Sequence, residues 1–248
     1  MNSNKQNTSI ADASQRKTAI IVGVLFIIGT AAGILSVFFT RPILNAPDYL
    51  MKVSENENQI IIGALFMLTM GFALAMVPAM MFPIFKKHNE ALALGYVVFR
   101  GALETFTYIF IAIIWLLLLP LSQEYVKAGA PNASNFQTLS TLLLGAANLP
   151  MTVFVFGLGA LIFYYLLYQS KLIPRWLSIW GLIAVALQLA TGLLIIFGLQ
   201  TAFDTSNSIM NLPIFLQEMV MAVWLIVKGF NPSAIAADSA KTEINQIK

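Results

Sequence analysis

Cysteine is absent from the 248 residues, which excludes disulfides, thiol nucleophiles and Cys-ligated metals. Histidine occurs once, as His88 beside Lys86 and Lys87. A solvated loop suits it better than catalysis, and one His cannot supply bis-histidine haem or a His-rich metal site. No cofactor is expected. Charge is scarce as well: 10% of residues are charged against 58% hydrophobic, and the mean hydropathy is +0.80. Soluble domains carry about 25% charged residues, so a soluble fold is excluded.

In place of charge there are long apolar runs, near residues 18–39, 60–84, 91–119, 139–168, 177–199 and 208–227. Each reaches the ~20 residues a helix needs to cross ~30 Å of hydrocarbon, the last only if it starts near Ser208. The fold class expected is therefore all-α, a bundle of six transmembrane helices. Residues 1–17 and 228–248 form polar tails, expected to be disordered. The first run ends in Val37-Phe-Phe-Thr-Arg-Pro42 with no small-x-small cleavage site, so it is read as an uncleaved signal anchor.

Lys and Arg set the orientation. Lys5, Arg16, Lys17, Lys86, Lys87, Lys171, Arg175, Lys228, Lys241 and Lys248 fall on one side of the predicted spans, and only Arg41, Lys52 and Lys127 on the other. Both termini are thus expected in the cytoplasm of a bacterial cell, in the inner membrane. The basic residues serve topology and anionic headgroups, so membrane lipids are expected partners and nucleic acid is not. Tyr164, Tyr165, Tyr168, Trp176 and Trp180 sit where an interfacial aromatic belt belongs. The short Gln169–Ile173 turn predicts antiparallel neighbours.

The outer loops, 40–59 and 120–138, share an Ala-Pro-Asp/Asn step (Ala46-Pro47-Asp48, Ala130-Pro131-Asn132), which predicts a short interfacial helix in each. Asn132-Ala-Ser134 matches a glycosylation sequon, without meaning in a bacterial host. Gly29 and Gly33 form a small-xxx-small pair suited to close helix contact, within the bundle or in a dimer. The sequence leaves the oligomeric state open. Met67, Met70, Met76, Met80 and Met81 with Pro78 and Pro83 describe an adaptable, kinked second span.

The stretches Lys86-Lys-His-Asn-Glu-Ala-Leu-Ala-Leu-Gly-Tyr-Val-Val-Phe-Arg100 with Glu104, Leu121-Ser-Gln-Glu-Tyr-Val-Lys-Ala-Gly-Ala-Pro131 and Leu172-Ile-Pro-Arg-Trp-Leu-Ser-Ile-Trp-Gly181 resemble the bacterial membrane proteins grouped as domain of unknown function 4386. The resemblance runs from about Arg16 to Val227. It implies a six-helix membrane protein and no assigned activity, so no catalytic residue carries over.

Ionisable residues inside an apolar span are the functional signal. A charge at membrane depth costs several kcal/mol unless partnered. Tyr96, Arg100, Glu104 and Tyr108 recur every four residues and make one polar stripe, with Thr107 between them. Arg100 lies about 14 Å and Glu104 about 20 Å from Ala91 along an α-helix. Glu218, on one face with Asn211, lies about 15 Å into the last span, and Gln188 about 18 Å into the fifth. Asn148 and Thr152 share a face of the fourth. These groups are expected to converge on one polar pocket open to the outside.

One Arg with two Glu leaves a net charge of −1 if all are ionised, so a proton shared between Glu104 and Glu218 is expected. Two readings follow. One is binding or transport of a cationic or amphipathic small molecule; the other is a structural or accessory protein whose cluster only locks helix packing. Arg-then-Glu is the weaker order within a helix, which favours an Arg100 to Glu218 bridge between helices. A paired-carboxylate hydrolase finds no supporting signature.

Overall fold

The computed structural model describes residues 2–129, 133–201 and 205–234, with side chains from residue 13 onward. The Ala130-Pro131-Asn132 step, the sequon asparagine, and Lys241 and Lys248 lie outside the described residues. Helices account for the described chain: α1 (Asn2–Leu44), α2 (Tyr49–Glu55), α3 (Glu57–Phe85), α4 (Glu90–Tyr96), a π-helical segment (Val97–Leu103), α5 (Glu104–Ala128), α6 (Ser134–Ala147), α7 (Met151–Ser170), α8 (Arg175–Ile196) and α9 (Thr205–Val227). Six spans are long and apolar enough to cross a membrane, α4 to α5 counting as one and α6 to α7 as another. The chain is a multi-pass membrane protein.

Consecutive spans pack side by side, and α9 returns to α1, so the six close into a ring. Small residues set the close approaches. A Cβ on Gly29 would lie 2.7 Å from the Leu74 side chain and one on Gly33 2.6 Å from Met70 Sδ, so this pair packs inside the molecule on α3. A Cβ on Gly23 would stand 2.6 Å from the Ala222 carbonyl oxygen, which joins α1 to α9. Gly181 lies against the Tyr164 ring and Gly157 against Leu189, holding α7 and α8 antiparallel.

Three departures from the sequence reading have local causes. Helix α1 begins at Asn2 instead of following a disordered tail: Ala, Gln, Arg and Lys are good helix formers, and propagation from an apolar helix already nucleated adds a bond per residue. The fourth apolar run is broken between Ala147 and Met151, where Pro150 has no N–H to donate and disfavours helical backbone at the residue before it. A short helix, α2, occupies the loop 40–59, whereas in the loop 120–138 α5 continues to Ala128 and α6 starts at Ser134. Pro78 and Pro83 lie inside a continuous α3.

The ends of the bundle differ. At the end bearing Arg16, Lys86, Lys87, Lys171, Arg175 and Lys228, Arg16 donates to the carbonyls of Leu225, Ile226 and Val227 at 3.1, 2.7 and 3.2 Å. It closes the C-terminus of α9, where a cation also suits the helix dipole. Arg175 stacks on the Tyr168 ring at 4.9 Å. At the opposite end Lys52 pairs with Glu55 at 2.9 Å, and this carboxylate holds the exposed ammonium above its ordinary pKa.

Candidate functional site

Arg100 stands on the π-helical segment, where the wider turn displaces side chains from α-helical register. Glycines seat that segment. A Cβ on Gly101 would lie 3.3 Å from Pro78 Cγ of α3, and one on Gly159 only 3.1 Å from the Arg100 backbone nitrogen. Helix α7 therefore lies directly on the backbone that carries the arginine. Asn89 starts the span by accepting from the Leu92 N–H at 3.0 Å, a side-chain N-cap.

The ion cluster is assembled from two spans. Arg100 Nη1 donates to both oxygens of Glu104 at 2.9 Å, and Nη2 donates to Glu218 Oε1 on α9 at 3.0 Å. The Tyr108 hydroxyl donates to Glu104 Oε1 at 2.8 Å. Side-chain exposures are 3% for Arg100, 1% for Glu104 and 14% for Glu218. Only Glu218 thus keeps access to open space. The guanidinium lies 4.2 Å from the centre of the Phe156 ring, so the cation is covered by a π-face as well.

A cavity of about 270 Å³ adjoins the cluster in the middle of the ring. All six spans line it: Thr30 from α1, Met70 from α3, Arg100 and Tyr108, Phe156 from α7, Gln188 from α8, and Asn211 and Glu218 from α9. It is partly open, and runs from the Arg100–Glu218 level toward the end opposite the basic one, Asn211 lying about 10 Å along α9 from Glu218.

Seven of the eight residues singled out from sequence are accounted for around this centre, in different ways. Arg100, Tyr108, Gln188, Asn211 and Glu218 line the cavity. Glu104 sits behind Arg100, completely buried. Tyr96 stacks on Phe163 with centroids 5.0 Å apart, its hydroxyl near Arg100 without a well-formed hydrogen bond. Asn148 does not join them. The break before Pro150 leaves it at a second cavity, of about 310 Å³, with Arg41, Asn45 and Trp115. Thr107 also departs from the expected stripe: its hydroxyl donates to the Glu104 carbonyl at 2.7 Å and it does not line the cavity.

Sequence reasoning passed over two features. Phe156 covers the guanidinium but is one apolar residue among many, so nothing in the sequence marks it. Gln217 is a polar residue in an apolar span, a legible signal. It accepts from the Tyr164 hydroxyl and donates to the Leu177 carbonyl at 3.0 Å, tying α7, α8 and α9 together next to Glu218.

No curated protein and no solved structure matches the chain. Residues 21–229 match the family described as Domain of unknown function (DUF4386). That match reaches all six spans, the first from residue 21 onward, and includes the π-helical segment and both carboxylates of the ion cluster. With its ring of apolar helices closed around a buried Arg–Glu cluster, this chain belongs to the DUF4386 family of multi-pass membrane proteins.

Proposed function

We propose that the protein binds, and carries across the membrane, a small molecule received in the central cavity. The observation that supports this most directly is the cavity lining: every span contributes to it, and it adjoins an ion cluster with one carboxylate turned to open space. Packing alone does not require such a space, since polar groups that only join helices are usually covered by their neighbours. The membrane is the bacterial inner membrane, both termini are cytoplasmic, and the cavity opens toward the outside. Lysine and arginine placement supports that orientation. Lipids surround the ring.

A second reading has its own support. Arg100 is held by Glu104, Glu218 and Phe156, as expected of a cluster that serves only to fix the register of α9 against the third span.

Access to water separates the two. The absence of cysteine allows Thr152→Cys, on the cavity wall, and Val223→Cys, 54% exposed on the bundle's outer side, to be compared with Lys52→Cys in the outer loop. Intact cells and inside-out vesicles are treated with a membrane-impermeant thiol reagent. Labelling of Thr152→Cys and Lys52→Cys in cells, with Val223→Cys silent, is the expected result. Thr152→Cys silent in both preparations would leave the structural reading.

A further inference from the structure

The residues lining the cavity specify a ligand class. The Asn211 Nδ2 donates to the Asn207 carbonyl at 2.8 Å and to Asn207 Oδ1 at 2.7 Å. Both of its hydrogens are therefore used, and its buried Oδ1 is left without a donor. Gln188 Oε1 is likewise buried and donorless. Glu218 receives Arg100 at Oε1 only, and among the described residues its Oε2 accepts nothing. Three residues that line one cavity, on two helices, thus each carry an acceptor oxygen without a donor.

The cation nearby is already paired. Arg100 Nη1 and Nη2 already serve the two carboxylates, and the Tyr108 hydroxyl serves Glu104. The Thr30 and Thr152 hydroxyls can donate or accept, so they discriminate nothing. An anion would meet a cluster of formal charge −1 and find no free cation. A cation with several N–H donors matches both charge and hydrogen-bonding need. Met70, Leu74, Phe156, Ile214 and Phe215 supply apolar wall, which suits a hydrocarbon body, and at about 270 Å³ the space is below the ~300–1,000 Å³ of drug-sized sites.

We infer that the central cavity recognises a compact organic ammonium ion, its N–H groups shared among Glu218, Asn211 and Gln188 and its apolar body against the aliphatic and aromatic wall. This rests on the small-molecule reading above and narrows it. Glu218 supplies the countercharge. Asn211 and Gln188 fix the direction of the ammonium along the cavity axis.

Three probes of one shape test the charge: 2-phenylethylammonium, neutral 2-phenylethanol and anionic 3-phenylpropanoate, each titrated into the full chain in lipid nanodiscs by calorimetry. Expected is saturable binding of the ammonium alone, weakened about 30-fold or more in Glu218→Gln, as for loss of a buried charge partner, and several-fold in Asn211→Leu. Asn211→Leu leaves the Arg100 contacts intact, so it reports even if Glu218→Gln does not fold. Binding of the alcohol or the carboxylate as tight as that of the ammonium, and sensitive to Asn211→Leu, overturns the ammonium assignment while the small-molecule reading stands. Ammonium binding indifferent to both substitutions overturns it too. No binding by any of the three overturns both.

Discussion

Removing the buried cation of the cluster should harm the protein more than removing the whole cluster. In Arg100→Met a flexible side chain of comparable length takes the arginine's place, and Glu104, with 1% side-chain exposure, loses both of its 2.9 Å bonds while Glu218 loses its 3.0 Å bond. Two carboxylates then share a low-dielectric site with only Tyr108 donating. Breaking a buried pair from one side costs about 3–5 kcal/mol, because the remaining charge is uncompensated. The triple variant Arg100→Met, Glu104→Gln, Glu218→Gln removes every formal charge together. Its expected loss is about 1–2 kcal/mol, since the desolvation that opposes the cluster disappears with the attraction. Reversible unfolding in mixed micelles, followed by helix content, measures both. A single-variant loss under about 1 kcal/mol, or a triple variant as unstable as the single one, would refute the view that charge imbalance in a desolvated cluster governs stability here.

Two packing predictions stand apart from the ion cluster. Gln217→Leu leaves the buried Tyr164 hydroxyl without its acceptor and strips the Leu177 carbonyl of its side-chain donor, and a loss of about 1–3 kcal/mol in the same assay is expected; an unchanged midpoint would mean that the amide bridge is dispensable. Gly23→Ala would place a methyl group 2.6 Å from the Ala222 carbonyl oxygen and 2.7 Å from Ile226 Cγ1. Because the first obstacle is backbone, α1 and α9 must separate, at about 1–3 kcal/mol, whereas Gly145→Ala, with nothing within 4 Å of its Cβ, should be neutral or slightly stabilising.

The site illustrates how far a helical wheel reaches. A period of four correctly marks Arg100, Glu104 and Tyr108 as neighbours, because bonds between residues four apart survive at the edge of the π-helical segment. It misleads for Thr107, which spends its hydroxyl on the Glu104 carbonyl of its own helix, and for Asn148, which the helix break at Pro150, just before α7, leaves at another cavity. In each case a local backbone event changes direction without changing composition. The π-helical segment itself has no sequence mark that periodicity can read; it is held by α3 packing on Gly101 and by α7, whose Gly159 lies on the Arg100 backbone.

Sequence alone determined that this is a six-span membrane protein, since solvent acts residue by residue: hydrocarbon accepts only helices whose backbone bonds are internal, and apolar length reports them directly. It also marked the charges that need partners. The partners were decided by tertiary structure. That Arg100 bridges Glu104 to Glu218, that Phe156 covers it, and that Asn211 and Gln188, each with an unpaired oxygen, line the same cavity depends on how six helices rotate and close into a ring. Those rotations are set by the sizes of side chains meeting across different helices, a pairwise property that no single run of residues contains.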